Sequence, residues 1–101
     1  MTQYVNVEFL PDGSATFTAS VQDPNGSEVA RDPMMYTYLR GDWAEYPGTK
    51  CTYRDVSRVH VQRHLEEFFA KHGFEIDPDF CKNIENKCNL IKNGVITTDD
   101  L

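Results

Sequence analysis

"QYVNVEFLPDGSATFTASVQ", residues 3–22, decides the architecture. In residues 3–10, Val5, Val7 and Phe9 fall on one side, and Tyr4, Asn6 and Glu8 on the other. That period of two belongs to a half-buried strand. Residues 15–22 repeat the alternation, with Ala15, Phe17, Ala19 and Val21 against a row of hydroxyl and amide side chains. Between the runs lies "PDGS" (11–14), with Pro, Asp and Gly where a tight hairpin connection needs them. "DPNGS" (23–27) carries the same turn chemistry thirteen residues on, one strand plus one turn later. Two such units make an antiparallel meander rather than a repeat protein.

Downstream, "SEVAR" (27–31) is a short third strand, cut off by Asp32-Pro33 because proline removes a ladder donor. "MMYTYL" (34–39) reads as a fourth, with Tyr36 and Tyr38 on one face. Residues 40–52, "RGDWAEYPGTKCT", show no periodicity and contain two glycines and a proline, which predicts a long loop.

The remainder switches to helical spacing. Val61, Leu65, Phe68, Phe69 and His72 share one stripe in a helix over about 55–72, capped by Asp55 or Ser57 and stopped at Gly73 with Phe74 covering the end. A second helix spans about 78–92, with Asp77 as its N-cap and Pro78 as its first residue. Cys81, Ile84, Cys88 and Ile91 form its apolar stripe, and Gly94 ends it. Residues 95–101 read as a flexible tail. Strands followed by helices predict one α+β domain over 1–101: an antiparallel β-meander of three to four strands (about 3–10, 15–22, 27–31 and 34–39), packed on one face by both helices. The other face, with Asn6, Glu8, Thr16, Thr18 and Ser20, is left to solvent or to a partner.

Charge narrows the partner class. The 101 residues carry sixteen acids and ten bases, a net charge of −6, and the first thirty hold four acids with no Lys or Arg. This balance opposes direct nucleic-acid binding, which needs cations against phosphates, and suits a protein partner with a basic surface. The start, "MTQYVNVEF", has neither a basic beginning nor an apolar run, and no segment has the length of a membrane span, so a cytoplasmic chain with reduced thiols is expected, with no membrane partner.

Catalytic chemistry is thinly represented. His60 and His64 lie four apart and can chelate a metal from one helix, and Cys81 and Cys88 are the conceivable further ligands. Seven helical residues separate those thiols by roughly 10.5 Å, too far for one tetrahedral ion. The same span forbids a disulfide, whose Cα atoms lie within about 7 Å. The cysteines are therefore expected in the core and the histidines on a solvated face with Arg63, Glu67 and Lys71, with no metal and no cofactor. Cys51 has Lys50 and Arg54 nearby in sequence but no local base to activate it. No phosphate loop, Ser-His-Asp set or paired-carboxylate motif is present. No catalytic residue is assigned.

In "RGDW", the tripeptide Arg40-Gly41-Asp42 carries little weight as an adhesive signal in a cytoplasmic chain. Its neighbours have the composition of an interface, aromatic anchors rimmed by acids. The candidate partner-binding residues are Asp42, Trp43, Glu45 and Tyr46, with Glu8 and Asp12. The alternative for Trp43 is that it folds back and caps the core. The sequence thus predicts a small acidic, non-catalytic protein-binding module, monomeric or homodimeric. Accessory proteins of phages and mobile elements that inhibit a host complex by covering a basic or nucleic-acid-binding surface are of this kind. The alternatives are a structural subunit that self-associates through its sheet, and a small enzyme using Cys51 or the histidines.

Overall fold

Both Pro-x-Gly turns close in the same way. Leu10 N donates to Ser14 O at 2.8 Å and Gly13 N to Leu10 O at 3.0 Å; Asp23 and Ser27, Gly26 and Asp23 repeat the pattern at 2.9 and 3.0 Å. Proline sets the first turn position, and glycine takes the left-handed position that makes the three-residue loop match the strand twist. In the computed structural model, which describes residues 1–48 and 52–101, these turns join β1 (Thr2–Phe9) to β2 (Ala15–Gln22) and β2 to β3 (Glu28–Arg31). Gly13 has a second reason to be glycine. At φ 87°, a Cβ there would lie 2.7 Å from Lys92 Cβ and 2.8 Å from Cys88 O, so the second helix packs directly on the turn.

β4 (Met34–Leu39) follows β3 along the same edge of β2, so the two are one strand broken at Asp32-Pro33. Asp32 makes the break tolerable. Its N–H donates to Ala19 O at 2.9 Å, while its carboxylate accepts from Met34 N at 3.0 Å and from the Tyr36 hydroxyl at 2.6 Å.

The sheet is larger than the sequence pattern predicts. Residues expected to form a loop instead form β5 (Asp42–Pro47), and Arg54–Val56 forms β6, giving, among the described residues, six antiparallel strands in the order β1-β2-β4-β5-β6 with β3 beside β2. Arg40 and Gly41, at φ 53° and 88°, are the two central residues of a tight hairpin whose flanking pair is Leu39 and Asp42. "RGD" is thus a turn between strands. Residues 49–51, including Cys51 and Lys50, lie outside the described residues, so the nucleophile considered for Cys51 falls there as well.

The first helix, α1 (Arg58–Ala70), starts three residues later than predicted because 54–56 pair with β5. Ser57 is its cap, and its Oγ accepts from His60 N at 3.1 Å. The second helix, α2 (Phe80–Lys92), begins after Asp79 rather than Asp77, since Asp77 is spent accepting from Asp79 N at 2.9 Å in the preceding turn. Gln62 of α1 caps α2 from outside: its Oε1 accepts from Cys81 N at 3.0 Å, and its Nε2 donates to Asp77 O at 2.9 Å. Within the tail, Thr98–Asp100 makes a 3-10 turn closed by a Thr97–Asp100 capping box.

Strand alternation sorts the sheet into two faces. On the inner face Phe17, Tyr36 and Trp43 join Val61, Leu65 and Phe69 of α1, and Cys81, Ile84 and Cys88 of α2, in one core. On the outer face a row runs across five strands through paired positions: Glu8, Thr16, Thr37, Ala44 and Asp55. This is an α+β fold with helices on one side of an antiparallel sheet.

Candidate functional site

The outer face gathers most of the residues expected to bind a partner. Asp12, in the first turn, and Asp42, at the start of β5, line one cleft of about 370 Å³ together with Leu39, Arg40, Tyr53 and Asp55. Leu39 is 42% exposed and Tyr53 is 65% exposed. Three carboxylates thus share the cleft with two exposed, largely apolar side chains and one guanidinium. Glu8 stands at the far end of the outer row, about 19 Å from Asp55 at ~4.8 Å per strand step. Tyr46 faces Met35 on the neighbouring strand, and its hydroxyl donates to Met35 Sδ.

Trp43 and Glu45 are elsewhere, and their assignment to an exposed interface loop is corrected by their place on β5. Odd-numbered residues of this strand point inward. Trp43 is 5% exposed, packs edge-on against Phe17 and tilted against Tyr38 at ring distances of 6.1 and 5.0 Å, and donates from Nε1 to Glu85 Oε2 at 3.1 Å. It caps the core.

Glu45 is 1% exposed, a carboxylate paired across the strands with Tyr36 on one side and Arg54 on the other. A buried charge needs partners, and three reach it. Arg54 binds Oε1 in a close ion pair, His60 Nε2 lies 3.0 Å from Oε1, and His64 Nδ1 lies 3.1 Å from Oε2. The His64 contact is close enough for attraction but not aligned as a hydrogen bond, so Oε2 is buried without a hydrogen-bond partner among the described residues. Burial works to raise the Glu45 pKa; the hydrogen bonds from Arg54 and His60 and the charge of both histidines outweigh it, and the carboxyl is held below its ordinary value.

His60 and His64 accordingly do not sit on a solvated face with Arg63, Glu67 and Lys71. They lean over β5 with their rings 4.0 Å apart and are 34% and 31% exposed. His72 rests on Phe68 at 5.2 Å. Cys81 and Cys88 are free thiols in the core, and burial pushes them up to about 12 and about 11. The tyrosines Tyr36 and Tyr38 are raised by burial too, Tyr36 also by its hydrogen bond to Asp32; both are core residues.

The Glu45–His60–His64 cluster is what sequence reasoning missed. The two histidines were visible as a pair, but nothing in the local pattern of 40–52 pointed to a strand that would bring a carboxylate beneath them.

Among the described residues, no helix is long and apolar enough to cross a membrane. No protein-family model, curated protein or solved structure matches the chain.

Proposed function

We propose that this chain is a non-catalytic protein-binding module that uses the uncovered face of its sheet to engage a basic surface on a larger protein. The observation that carries this reading is the outer-face cleft, which Asp12, Asp42 and Asp55 line together with exposed Leu39 and Tyr53. Apolar side chains at the centre with charges at the rim are the general plan of a protein interface. The net charge of −6 supports a basic counterpart, since complementary potential speeds encounter and disfavours wrong partners.

Arg40 adds support. A non-glycine residue at φ 53° is strained, and that residue lines the cleft. The proposed mode of action is steric: the module occupies a basic or nucleic-acid-binding surface in the cytoplasm, as accessory inhibitors from phages and mobile elements do against host complexes.

The test is affinity purification from cells of the native host, with the wild-type chain and an Asp42→Lys/Asp55→Lys variant side by side. A stoichiometric co-purifying protein that is lost with the variant and with rising salt supports the proposal. A partner retained equally by both chains contradicts it.

A second reading, self-association, rests on β1. This eight-residue strand pairs on one side only among the described residues and contains neither Lys nor Pro to blunt its edge. Sedimentation at micromolar concentration separates the two, a stable homodimer favouring the second.

A further inference from the structure

The structure assigns Glu45, His60 and His64 to a divalent transition-metal site between β5 and α1. One ligand atom from each residue lies within 4.8 Å of the other two. The His60 Nε2 and His64 Nδ1 contacts to the carboxylate, 3.0 and 3.1 Å, approach the ligand–ligand spacing around an ion with metal–ligand bonds of about 2.0–2.2 Å.

The carboxylate is prepared for this role atom by atom. Oε1 is held by Arg54, which fixes the plane of the group in the way outer-shell donors orient metal ligands. Oε2 is buried without a hydrogen-bond partner among the described residues, and it is the oxygen nearest His64 Nδ1. An unsatisfied buried carboxylate oxygen costs free energy unless something binds it. A cation between Oε2 and the two imidazoles satisfies it.

His60 then coordinates through Nε2 and keeps its proton on Nδ1; His64 coordinates through Nδ1 and keeps its proton on Nε2. With both rings about one third exposed, the ion is reached from solvent.

Two imidazoles and one carboxylate select zinc, iron(II), nickel or copper(II) over magnesium or calcium, which prefer oxygen donors throughout. Three protein ligands leave at least one position for water or for a group from a partner. The Arg54 guanidinium is the one cation against the cluster among the described residues; at 67% exposure it can yield toward solvent while retaining its contact to Oε1. The thiols are not needed: Cys81 and Cys88 are buried in the core and held protonated.

Zinc chloride titrated into the chelator-treated chain, followed by the imidazole resonances in NMR, tests the site directly. The chain has three histidines. The expected result is saturation at one equivalent, with the signals of two histidines shifting and that of His72 unmoved. His64→Gln and His60→Gln, each checked for its fold by circular dichroism, are expected to weaken zinc binding at least ~100-fold, beyond what an outer-shell change does, and His72→Gln to leave it unaltered. Cobalt(II) is expected to give d–d bands without thiolate charge transfer. No saturable binding by the wild-type chain, a shift of His72 with the others, or a thiolate band overturns the assignment.

Discussion

Glu45 and His64 meet across the seam between sheet and helix, with Oε2 3.1 Å from Nδ1 and the carboxylate fully buried. The relationship is unusual because the inner face is otherwise a working hydrophobic core. A glutamate paired across the strands with Tyr36 has to be held there by Arg54 and two histidines, and its Oε2 has no hydrogen-bond partner among the described residues.

If Glu45 were there for stability alone, a hydrophobic residue of similar length would serve as well. Glu45→Met is therefore expected to cost less than ~1 kcal/mol or to stabilise the fold, because Arg54 and the histidines can return to water when the buried charge is removed. Urea unfolding measures it. A loss of several kcal/mol would show that the carboxylate is a structural keystone.

The hairpin at Arg40-Gly41 asks an ordinary L-residue to take a left-handed conformation at φ 53°. Asparagine accepts that conformation more readily and is favoured in such two-residue turns. Arg40→Asn is expected to raise unfolding free energy by about 0.5–1 kcal/mol. Unchanged stability would mean the strain is relieved in solution.

Gly13 is constrained twice, by its left-handed backbone and by the approach of α2. Gly13→Ala is expected to destabilise by roughly 2–4 kcal/mol, combining backbone strain with displacement of Cys88 and Lys92. The matching turn glycine Gly26, at φ 83° with open space around it, supplies the control. Gly26→Ala should cost about 1–2 kcal/mol, the backbone part alone.

Burial keeps Cys81 and Cys88 protonated well above the ordinary thiol value of 9.0, up to about 12 and about 11. Because the folded pKa values are raised, the stabilisation is complete below about pH 9 and is lost as pH rises through the folded values. Alkaline unfolding above about pH 10 is the expected consequence. At pH 8, alkylation in a Cys51→Ser background is expected to be at least about a hundredfold slower than in urea. Fast labelling of either thiol in the native chain would contradict their placement.

Much of the fold was legible because local signals agreed with each other. Alternation in 3–10 and 15–22, the Pro-x-Gly turns, and the stripe Cys81, Ile84, Cys88 and Ile91 each state their structure without help from distant residues. β5 and β6 were not legible for the opposite reason. "DWAEYP" alternates an acid, an aromatic, an alanine and a second acid, and its inward positions, Trp43 and Glu45, do not look like one apolar face. Pairing with β4 decides it, through contacts that exist only once Tyr36 and Tyr38 are in place. The site suffered from the same gap. His60 and His64 announce a chelating pair, but their third member comes from a strand that periodicity does not reveal. Of the expected interface, Asp12 and Asp42 meet in one cleft and Glu8 lies along the same face, whereas Trp43 and Glu45 went inward with the parity of the strand.

The two faces of the sheet are divided, the inner one packed and the outer one, on the proposed function, offered to a partner. Amide chemical-shift mapping of the labelled chain with the captured partner tests it most directly. The claim predicts that perturbations concentrate at Thr16, Thr37, Leu39, Asp42, Ala44, Tyr53 and Asp55 and that α2 is unaffected. Perturbations centred on the exposed surfaces of α1 and α2, with the outer row of the sheet unchanged, would contradict it.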